Sequence, residues 1–248
     1  MEVHAHTHNA PASGGTGRKK WSHYFWEFFM LFLAVIAGFL VENQREHYIE
    51  DKRASVLAAS IYTDFKRDTA ALNAIIQYTD TRVSHLDSFI TELKSIPVIK
   101  NDSILSLRTA WLVRFQPLVR TKETYEQAKN SGMLRYFNLS LVNLLTAYDV
   151  LAEETRFREI GEYNVLNNDI IPYVQEFMNF ETVHAIYFNQ PFPKSFYFNI
   201  NDLTKANVLI NKAVAVKINR TRLTQQYEKM KKKADEIVVF LKKEYHLK

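Results

Sequence analysis

The strongest feature of the hydrophobic pattern is one apolar segment near the start of the chain. Residues 28–41 carry no charge, and extending the segment back to Tyr24 gives 18 residues in which Glu27 is the single charge. As an α-helix these residues would span about 27 Å, close to the ~30 Å hydrocarbon core of a bilayer. Large apolar side chains cover every face of that helix. We therefore predict a single transmembrane anchor at residues 21–41.

Aromatic residues support this assignment. Trp21, Tyr24 and Trp26 cluster at the start of the segment, where amphipathic rings prefer the headgroup level of a bilayer. Phe28 and Phe39 belong to the apolar run itself. We assign these five residues to the membrane anchor, and the lipid bilayer is its expected partner.

Three other interpretations of the apolar segment compete with a transmembrane anchor. Apolar side chains on every face argue against a buried core helix of a soluble protein. A cleaved signal peptide needs a small-x-small cleavage site, and the sequence from Ala34 to Val41 offers a poor one. A helix lying on the membrane surface needs a polar face, which is missing.

A second copy of the chain could pack against the anchor. Ala34 and Gly38 are four residues apart, a spacing of small residues that lets two membrane helices approach closely. Such a pair also arises by chance in apolar segments, so a homodimer through this face is one of two interpretations.

The remainder of the chain, residues 42–248, has the periodicity of helices. Apolar residues recur at intervals of three, four and seven from Leu57 to Leu93, and Pro97 should end that helix. Further helices are predicted at 102–115, at 121–130, from Asn138 to about Phe180, and from Asp202 to about Tyr245. We expect an all-α fold in which the anchor continues into an antiparallel helical bundle whose first and last long helices are neighbours.

Local signals place the ends and irregularities of these helices. Thr121 is a candidate N-cap, and Gly132 follows the end of the same helix. We expect an irregularity near Gly161 and a kink or break at Pro172. In the last helix an apolar seam is expected, made of Leu223, Tyr227, Met230, Ala234, Ile237 and Leu241.

Residues 183–200 have a different pattern, rich in aromatic residues around two prolines and with Lys194 as the only formal charge. We interpret this stretch as an aromatic loop with a short extended pair. Its rings could form a contact surface for an unknown protein partner, or they could fold back over the core. The candidate contact residues are Tyr187, Phe192, Phe196 and Phe198.

Charge is divided between two of the predicted helices. Residues 149–181 hold eight acids and two bases, whereas residues 201–248 hold twelve bases and five acids. Because opposite charges favour packing, we expect these segments to lie side by side. The lysines of the last helix could instead bind anionic lipid or nucleic acid. No nucleic-acid signature accompanies them, so no nucleic acid is expected as a partner.

Composition and motifs provide little sign of catalysis. The chain has no cysteine and only six glycines, and it contains neither a phosphate-binding glycine loop nor a serine-nucleophile elbow. One Glu-x-x-His, Glu181 to His184, has no second copy to complete a di-iron site. Residues 1–20 form a predicted disordered tail with three histidines that lack a fixed geometry for a metal. We therefore assign no cofactor, metal ligand or catalytic residue.

Two motifs resemble a bacterial family of uncharacterised single-pass membrane proteins. The first comprises His4-Ala5-His6-Thr7-His8, then Arg18-Lys19-Lys20-Trp21, then YFWEFFMLFLAVIAGFLVENQREH. The second is TYEQAKNSGMLRYF, residues 124–137, which is similar to the family's Tyr-Glu-x-x-Lys-x-Ser-Gly-x-Leu segment. Here Ala128 precedes Lys129, and the downstream helix diverges from the family. The resemblance covers the first 50 residues well and the rest loosely. It implies a membrane-anchored helical domain of unknown function in the bacterial cytoplasmic membrane, and it supplies no catalytic residue.

The basic triplet before the anchor indicates its orientation. Arg18, Lys19 and Lys20 directly precede the span, whereas the cations that follow are mixed with acids. A short basic tail tends to stay in the cytoplasm. We therefore expect a cytoplasmic N-terminus and a large domain outside the cytoplasm.

Two classes of function fit these features. The first is a membrane-anchored interaction or sensory module without chemistry of its own, for which we expect no buried cluster of titratable groups. The alternative is a membrane-bound hydrolase or metal-dependent enzyme with a site inside the bundle. That enzyme would need three or more acidic or histidine side chains converging in a concave pocket.

Overall fold

A computed structural model describes residues 21–95, 103–191, 198–200 and 202–247. Apart from one isolated antiparallel bridge between Met178 and Phe198, every regular element in these ranges is helical, which confirms the all-α prediction. The elements are α1 Trp21–Ser95, α2 Ser103–Val113, α3 Glu123–Asn130, a 3-10 turn Met133–Tyr136, α4 Leu139–Val165, a π-helical turn Leu166–Ile170, α5 Ile171–Gln175, α6 Glu181–Phe188 and α7 Leu203–Glu244.

The chain divides into two units. The first is Met1–Lys52, whose described part is the beginning of α1, and the second is Arg53–Lys248. The predicted tail, residues 1–20, lies outside the described residues. The boundary falls inside α1, eleven residues beyond the predicted end of the anchor at Val41.

Two clusters of buried apolar side chains form the core of the second unit. The first cluster joins α1 around Ile61 and Leu72 to the start of α4 and the end of α7. The second joins α1 around Phe89 to α2, to residues 166–183, to Phe198 and Ile200, and to the start of α7. Every residue of the predicted α7 seam is buried, which confirms it.

The acidic and basic segments lie side by side, as their opposite charges predict, because α4 packs against α7. Three polar contacts join them: Lys212 with Asp169, Arg220 with Glu162 at 2.9 Å, and Gln226 with Glu154 at 3.0 Å. Residue numbers fall along α4 as they rise along α7.

Two helix starts carry a side-chain cap, and a third does not. Asn138 accepts a hydrogen bond from the Leu141 N–H, and Asp202 accepts one from the Thr204 N–H, as expected of N-caps. The prediction that Thr121 caps α3 is wrong. Lys122 occupies the cap position without a side-chain bond, and the N–H of Thr121 donates instead to Asp68 at 2.6 Å.

The irregularity in α4 lies further along the chain than predicted. The helix is regular through Gly161 and widens into a π-helical turn at Leu166–Ile170, directly before Pro172. Proline has no N–H to donate to the preceding turn, and its ring needs extra room there. A π-helical turn supplies that room, so the chain remains helical where a kink or break was expected.

The interpretation of residues 183–200 as a loop is wrong in its first part, because Glu181–Phe188 is helix α6. Phe192 and Phe196 lie outside the described residues. Phe198 follows them and is fully buried, with its ring 5.6 Å from that of Phe177. The single extended pair that the structure describes joins Phe198 to Met178 and does not lie within the predicted loop.

Candidate functional site

The apolar start of α1 is exposed along its whole length. It contains an 18-residue window that is long and apolar enough to cross a membrane, and none of that window is buried. Each predicted anchor residue presents more than half of its surface: Trp21, Tyr24, Trp26, Phe28 and Phe39.

The small-residue face of the same segment is open. Ala34 and Gly38 are exposed, and a Cβ added to Gly38 would meet no atom within 4 Å. The backbone of a second helix could therefore approach this face closely.

The second unit contains a set of buried charged and phenolic side chains that we call the buried polar network. The expectation of no buried cluster of titratable groups is therefore wrong. Its members come from α1, α4 and α7, and the apolar pattern had already placed one of them, Tyr227, in the α7 seam. They are Asp68, Arg82, Tyr148, Glu159, Glu162, Arg220 and Tyr227.

Arg220 is the most buried member of the network. Its Nε donates to Glu162, its Nη1 donates to the carbonyl of Trp111 at 2.7 Å, and its Nη2 donates to that of Leu112 at 2.7 Å. Trp111 and Leu112 belong to the last turn of α2, where carbonyls lack partners within the helix and a positive charge is favourable. Burial, followed by the charge of Arg82, lowers the pKa of Arg220 to about 10.

Glu159 accepts a second set of hydrogen bonds in the network. Its Oε1 accepts hydrogen bonds from the N–H of Leu118 at 2.8 Å and from the hydroxyl of Tyr227 at 2.6 Å. Burial raises the pKa of Glu159 more than these bonds lower it. Burial and the nearby carboxylate also raise the pKa of Tyr227, so the phenol stays protonated and donates.

Asp68 repeats this arrangement on α1. Its Oδ1 accepts from the N–H of Thr121, and its Oδ2 accepts from the hydroxyl of Tyr148 at 2.7 Å. Burial again raises the pKa of the carboxyl group, and it raises that of Tyr148.

These bonds converge on one stretch of backbone, residues 114–122, which we call the α2–α3 connection. Each long helix provides one side chain that bonds the connection or the adjacent end of α2: Asp68 from α1, Glu159 from α4 and Arg220 from α7. A connection packed against a core needs such partners, because its main-chain polar groups have no neighbouring strand or helix turn. The network therefore positions this connection on the bundle.

Arg82 is the least satisfied charge in the network. Its Nη2 lies 3.8 Å from the Glu162 carboxylate, and its guanidinium stacks over the Tyr78 ring at 5.2 Å. Burial lowers its pKa. Glu162 thus compensates two buried arginines, Arg82 and Arg220, which links α1, α4 and α7 through one carboxylate.

The three buried carboxylates do not share a concave site. Glu162 lines a groove of about 570 Å³ between α4 and α7, Glu159 lines a separate one of about 170 Å³, and Asp68 lines neither. Among the described residues, no group of three His, Cys, Asp or Glu side chains is placed to hold a metal ion. The convergence that an enzyme would need is not present in these grooves.

A signal for the network was present in the sequence. Arg220 interrupts the apolar seam of α7 between Val216 and Leu223, and Asp68 lies between Phe65 and Leu72 in α1. A charge at a position that the helical period places in the core is costly unless it is paired. Reading those interruptions as pairing partners would have identified both residues.

Of the candidate contact residues, the structure describes only Tyr187 and Phe198, and it separates them. Tyr187 is 42% exposed, and the guanidinium of Arg114 lies over it, 5.4 Å from the centre of the Tyr187 ring. Phe198 belongs to the core. Two residues of the predicted surface are therefore not equivalent, and Phe198 cannot contact a partner without unfolding.

Comparison of the chain with protein-family models, with curated protein sequences and with solved structures gives no match. No relative therefore supplies a residue role, and roles are assigned from geometry alone. The resemblance to a bacterial single-pass membrane family stays a prediction.

Proposed function

We propose that this chain is a single-pass membrane protein that holds a helical bundle at the bilayer and acts through protein contacts. The observation that carries the proposal is the apolar window of α1, which is long enough to span a bilayer and is not buried by the chain. Exposing such an apolar surface to water is strongly unfavourable, whereas inside a bilayer the same surface contacts lipid chains and not water.

The proposed location is the bacterial cytoplasmic membrane, with the N-terminus inside and the bundle outside. Arg18, Lys19 and Lys20 next to the span support this orientation through the preference of short basic tails for the cytoplasm. In the second unit α4 and α7 are proposed to be neighbours in an antiparallel bundle, supported by the opposite order of their contacts.

A role in contacts and not in catalysis is supported by how the buried polar network is used. The Asp68 and Glu159 carboxylates accept main-chain hydrogen bonds from the α2–α3 connection, and Glu162 compensates two arginines. The Asp68 and Glu159 carboxylates thus have a structural role in holding the main chain of the connection. The sensory or interacting partner remains a proposal without a named molecule.

Dimerisation through the anchor is part of the proposal. The open face at Ala34 and Gly38 would let two copies pack closely in the membrane. Replacing Gly38 by Leu should abolish crosslinking between copies in native membranes, whereas Ile36→Leu, on the opposite face of the helix, should not. Equal crosslinking in both variants would argue against this face.

Carbonate extraction tests membrane anchoring. The full-length chain should stay in the membrane pellet, and Phe32→Arg with Val35→Arg should release it, because each central arginine opposes insertion by about 2.5–3.5 kcal/mol. The matched control places two arginines on the exposed bundle positions Val119 and Val150 and should remain in the pellet. Wild-type protein in the carbonate supernatant would contradict the proposal.

The alternative, a membrane-bound hydrolase or metal-dependent enzyme, draws its support from the three buried carboxylates. Metal analysis of the purified full-length chain tests the metal-dependent form. A stoichiometric ion that is lost in Glu159→Gln would favour the enzyme, whereas folded protein without metal would count against it.

A further inference from the structure

One end of the bundle gathers parts of α1, the 3-10 turn, α4 and α7 into a single surface. Arg53 donates to the Tyr136 hydroxyl at 3.4 Å, and the rings of Phe137 and Tyr245 lie 6.1 Å apart. Asn138 donates to Glu244 at 3.1 Å. These contacts join Arg53, residues 136–138 and residues 244–245. Together with their neighbours along each helix they form residues 53–56, 135–139 and 239–247, which we call the basic end.

The charge of the basic end is strongly biased. Its three segments contain four bases and one acid, Glu244, which gives a net charge of +3 with histidine neutral. The carboxylate of that acid accepts the bond from Asn138. All four bases are exposed: Arg53, Arg135, Lys242 and Lys243.

Exposed apolar side chains share this end. Val56 on α1 is 64% exposed, Leu139 at the start of α4 is 73% exposed, and Val239 on α7 is 66% exposed. A surface that combines cations with exposed apolar side chains suits the boundary between lipid headgroups and acyl chains.

Chain connectivity identifies which end of the bundle stays nearest to the bilayer. Twelve residue steps join Val41 to Arg53, and even a fully extended chain spans at most about 43 Å over that distance. From Arg53, α1 continues to Ser95 for about 63 Å of helix. Given the proposed anchor, the basic end is therefore the part of the bundle that the shortest stretch of chain connects to the membrane-spanning segment.

We propose that the basic end docks on the bilayer by binding anionic lipid headgroups. The occupant is lipid because the end is tethered near a membrane, has excess positive charge and exposes apolar side chains from three helices. This inference rests on the proposed function, since the tether is the predicted anchor.

A unique fluorescent label tests the docking. The chain has no cysteine, so Leu139→Cys can carry a single environment-sensitive dye in the full-length protein. In nanodiscs of phosphatidylcholine with added phosphatidylglycerol, the dye emission should shift to the blue and be quenched by headgroup spin labels. In nanodiscs of phosphatidylcholine alone both effects should be several-fold smaller, and high salt should remove them because it screens the attraction.

Charge reversal at the basic end provides the second arm of the test. Arg135→Glu with Lys242→Glu and Lys243→Glu should abolish the anionic-lipid response at an unchanged melting temperature. The matched control reverses three exposed bases elsewhere, Lys94, Arg158 and Arg222, and should keep the response. Equal responses of the two triple variants would overturn the proposal.

The outcomes separate this inference from the anchor on which it rests. Incorporated protein whose label responds equally to neutral and anionic nanodiscs would overturn lipid docking and leave the anchor intact. Protein that carbonate removes from the nanodiscs would overturn the anchor itself. A response to added duplex DNA but not to anionic lipid would also overturn the proposal, because it would assign the basic end to nucleic acid.

Discussion

Arg220 of α7 and Glu162 of α4 form an ion pair in which both side chains are almost completely buried, with Nε and Oε1 2.9 Å apart. Removing two charges from water is costly, and the pair is tolerated because every remaining arm of the guanidinium bonds a carbonyl at or after the end of α2. The pair therefore fixes where the α2–α3 connection crosses the bundle.

Replacement of Arg220 should be the most damaging single change in this network. Arg220→Leu leaves Glu162 without its closest partner and should lower the free energy of unfolding by about 3–5 kcal/mol. Arg220→Lys should rescue little of this, because an ammonium group cannot bond the carboxylate and the carbonyls together. Chemical denaturation of the purified full-length chain measures both.

The neighbouring Arg222 provides the control for this prediction. It is exposed, and Arg222→Leu should change the unfolding midpoint little. If Arg220→Leu unfolds at the same denaturant concentration as Arg222→Leu, the network does not hold the connection in place.

Stability should depend on pH through Asp68 and Glu159. Burial raises the pKa of each carboxyl group above its ordinary value, 3.8 for Asp68 and 4.5 for Glu159. Between the ordinary and raised values the folded chain binds more protons than the unfolded chain, so the free energy of unfolding falls as pH rises through this interval. The contribution is fully present below the ordinary values and is lost above the raised ones.

Melting curves across mildly acidic pH check this sign. Asp68→Asn with Glu159→Gln should flatten the fall in melting temperature, because neither amide titrates. The exposed control Asp80→Asn should keep the wild-type slope. The opposite result would be a wild-type melting temperature that rises with pH over this interval and a double variant in which that rise is absent. It would contradict the raised pKa values of Asp68 and Glu159.

Two glycines should respond in opposite ways to alanine. Gly132 has φ of 71°, a left-handed conformation that costs an alanine roughly 1 kcal/mol, although nothing lies within 4 Å of the added Cβ. Gly161 lies inside α4 with the same open space, and there alanine should stabilise the helix by about 0.5–1 kcal/mol. In thermal unfolding, Gly132→Ala should have a lower melting temperature than the wild type, and Gly161→Ala should have a higher one.

Substitutions at Phe198 and Tyr187 should distinguish a side chain that packs in the core from one that is partly exposed and open to contact. Phe198→Ala removes a fully buried ring and should cost about 3–5 kcal/mol in the free energy of unfolding. Tyr187→Ser should cost less because the ring is partly exposed.

Loss of partner capture in Phe192→Ser with Phe196→Ser, at an unchanged melting temperature, would support a contact role for those residues, whereas a lowered melting temperature would support a core role.

Hydrophobic periodicity predicted most of the helices, and the opposite charges of residues 149–181 and 201–248 predicted the pairing of α4 with α7. Breaker and cap residues such as Asn138 and Asp202 have local effects, so the ends that they mark could be found from the sequence alone. Thr121 is not the cap because α3 begins at Glu123, one residue later than a Thr121 cap requires; its backbone N–H donates instead to Asp68, 53 residues earlier in the chain. Local sequence does not contain such a contact.

The buried polar network could not be predicted in full for the same reason. Which carboxylate would meet Arg220 depends on the relative register of α4 and α7, and amphipathic periodicity alone does not set that register. Only the interruptions of the apolar pattern at Arg220 and Asp68 were visible. The helix at residues 181–188 was missed because aromatic residues and two nearby prolines outweighed a short helical stretch.

Labelling of two single cysteines tests most directly whether the chain crosses the membrane. Ser13→Cys in the tail and Ser131→Cys in the bundle can each be labelled alone, since the chain has no other cysteine. In sphaeroplasts a membrane-impermeant maleimide should label Ser131→Cys at once, and it should label Ser13→Cys only after the membrane is permeabilised. Equal labelling of both cysteines before permeabilisation would contradict a membrane-spanning helix at residues 21–41.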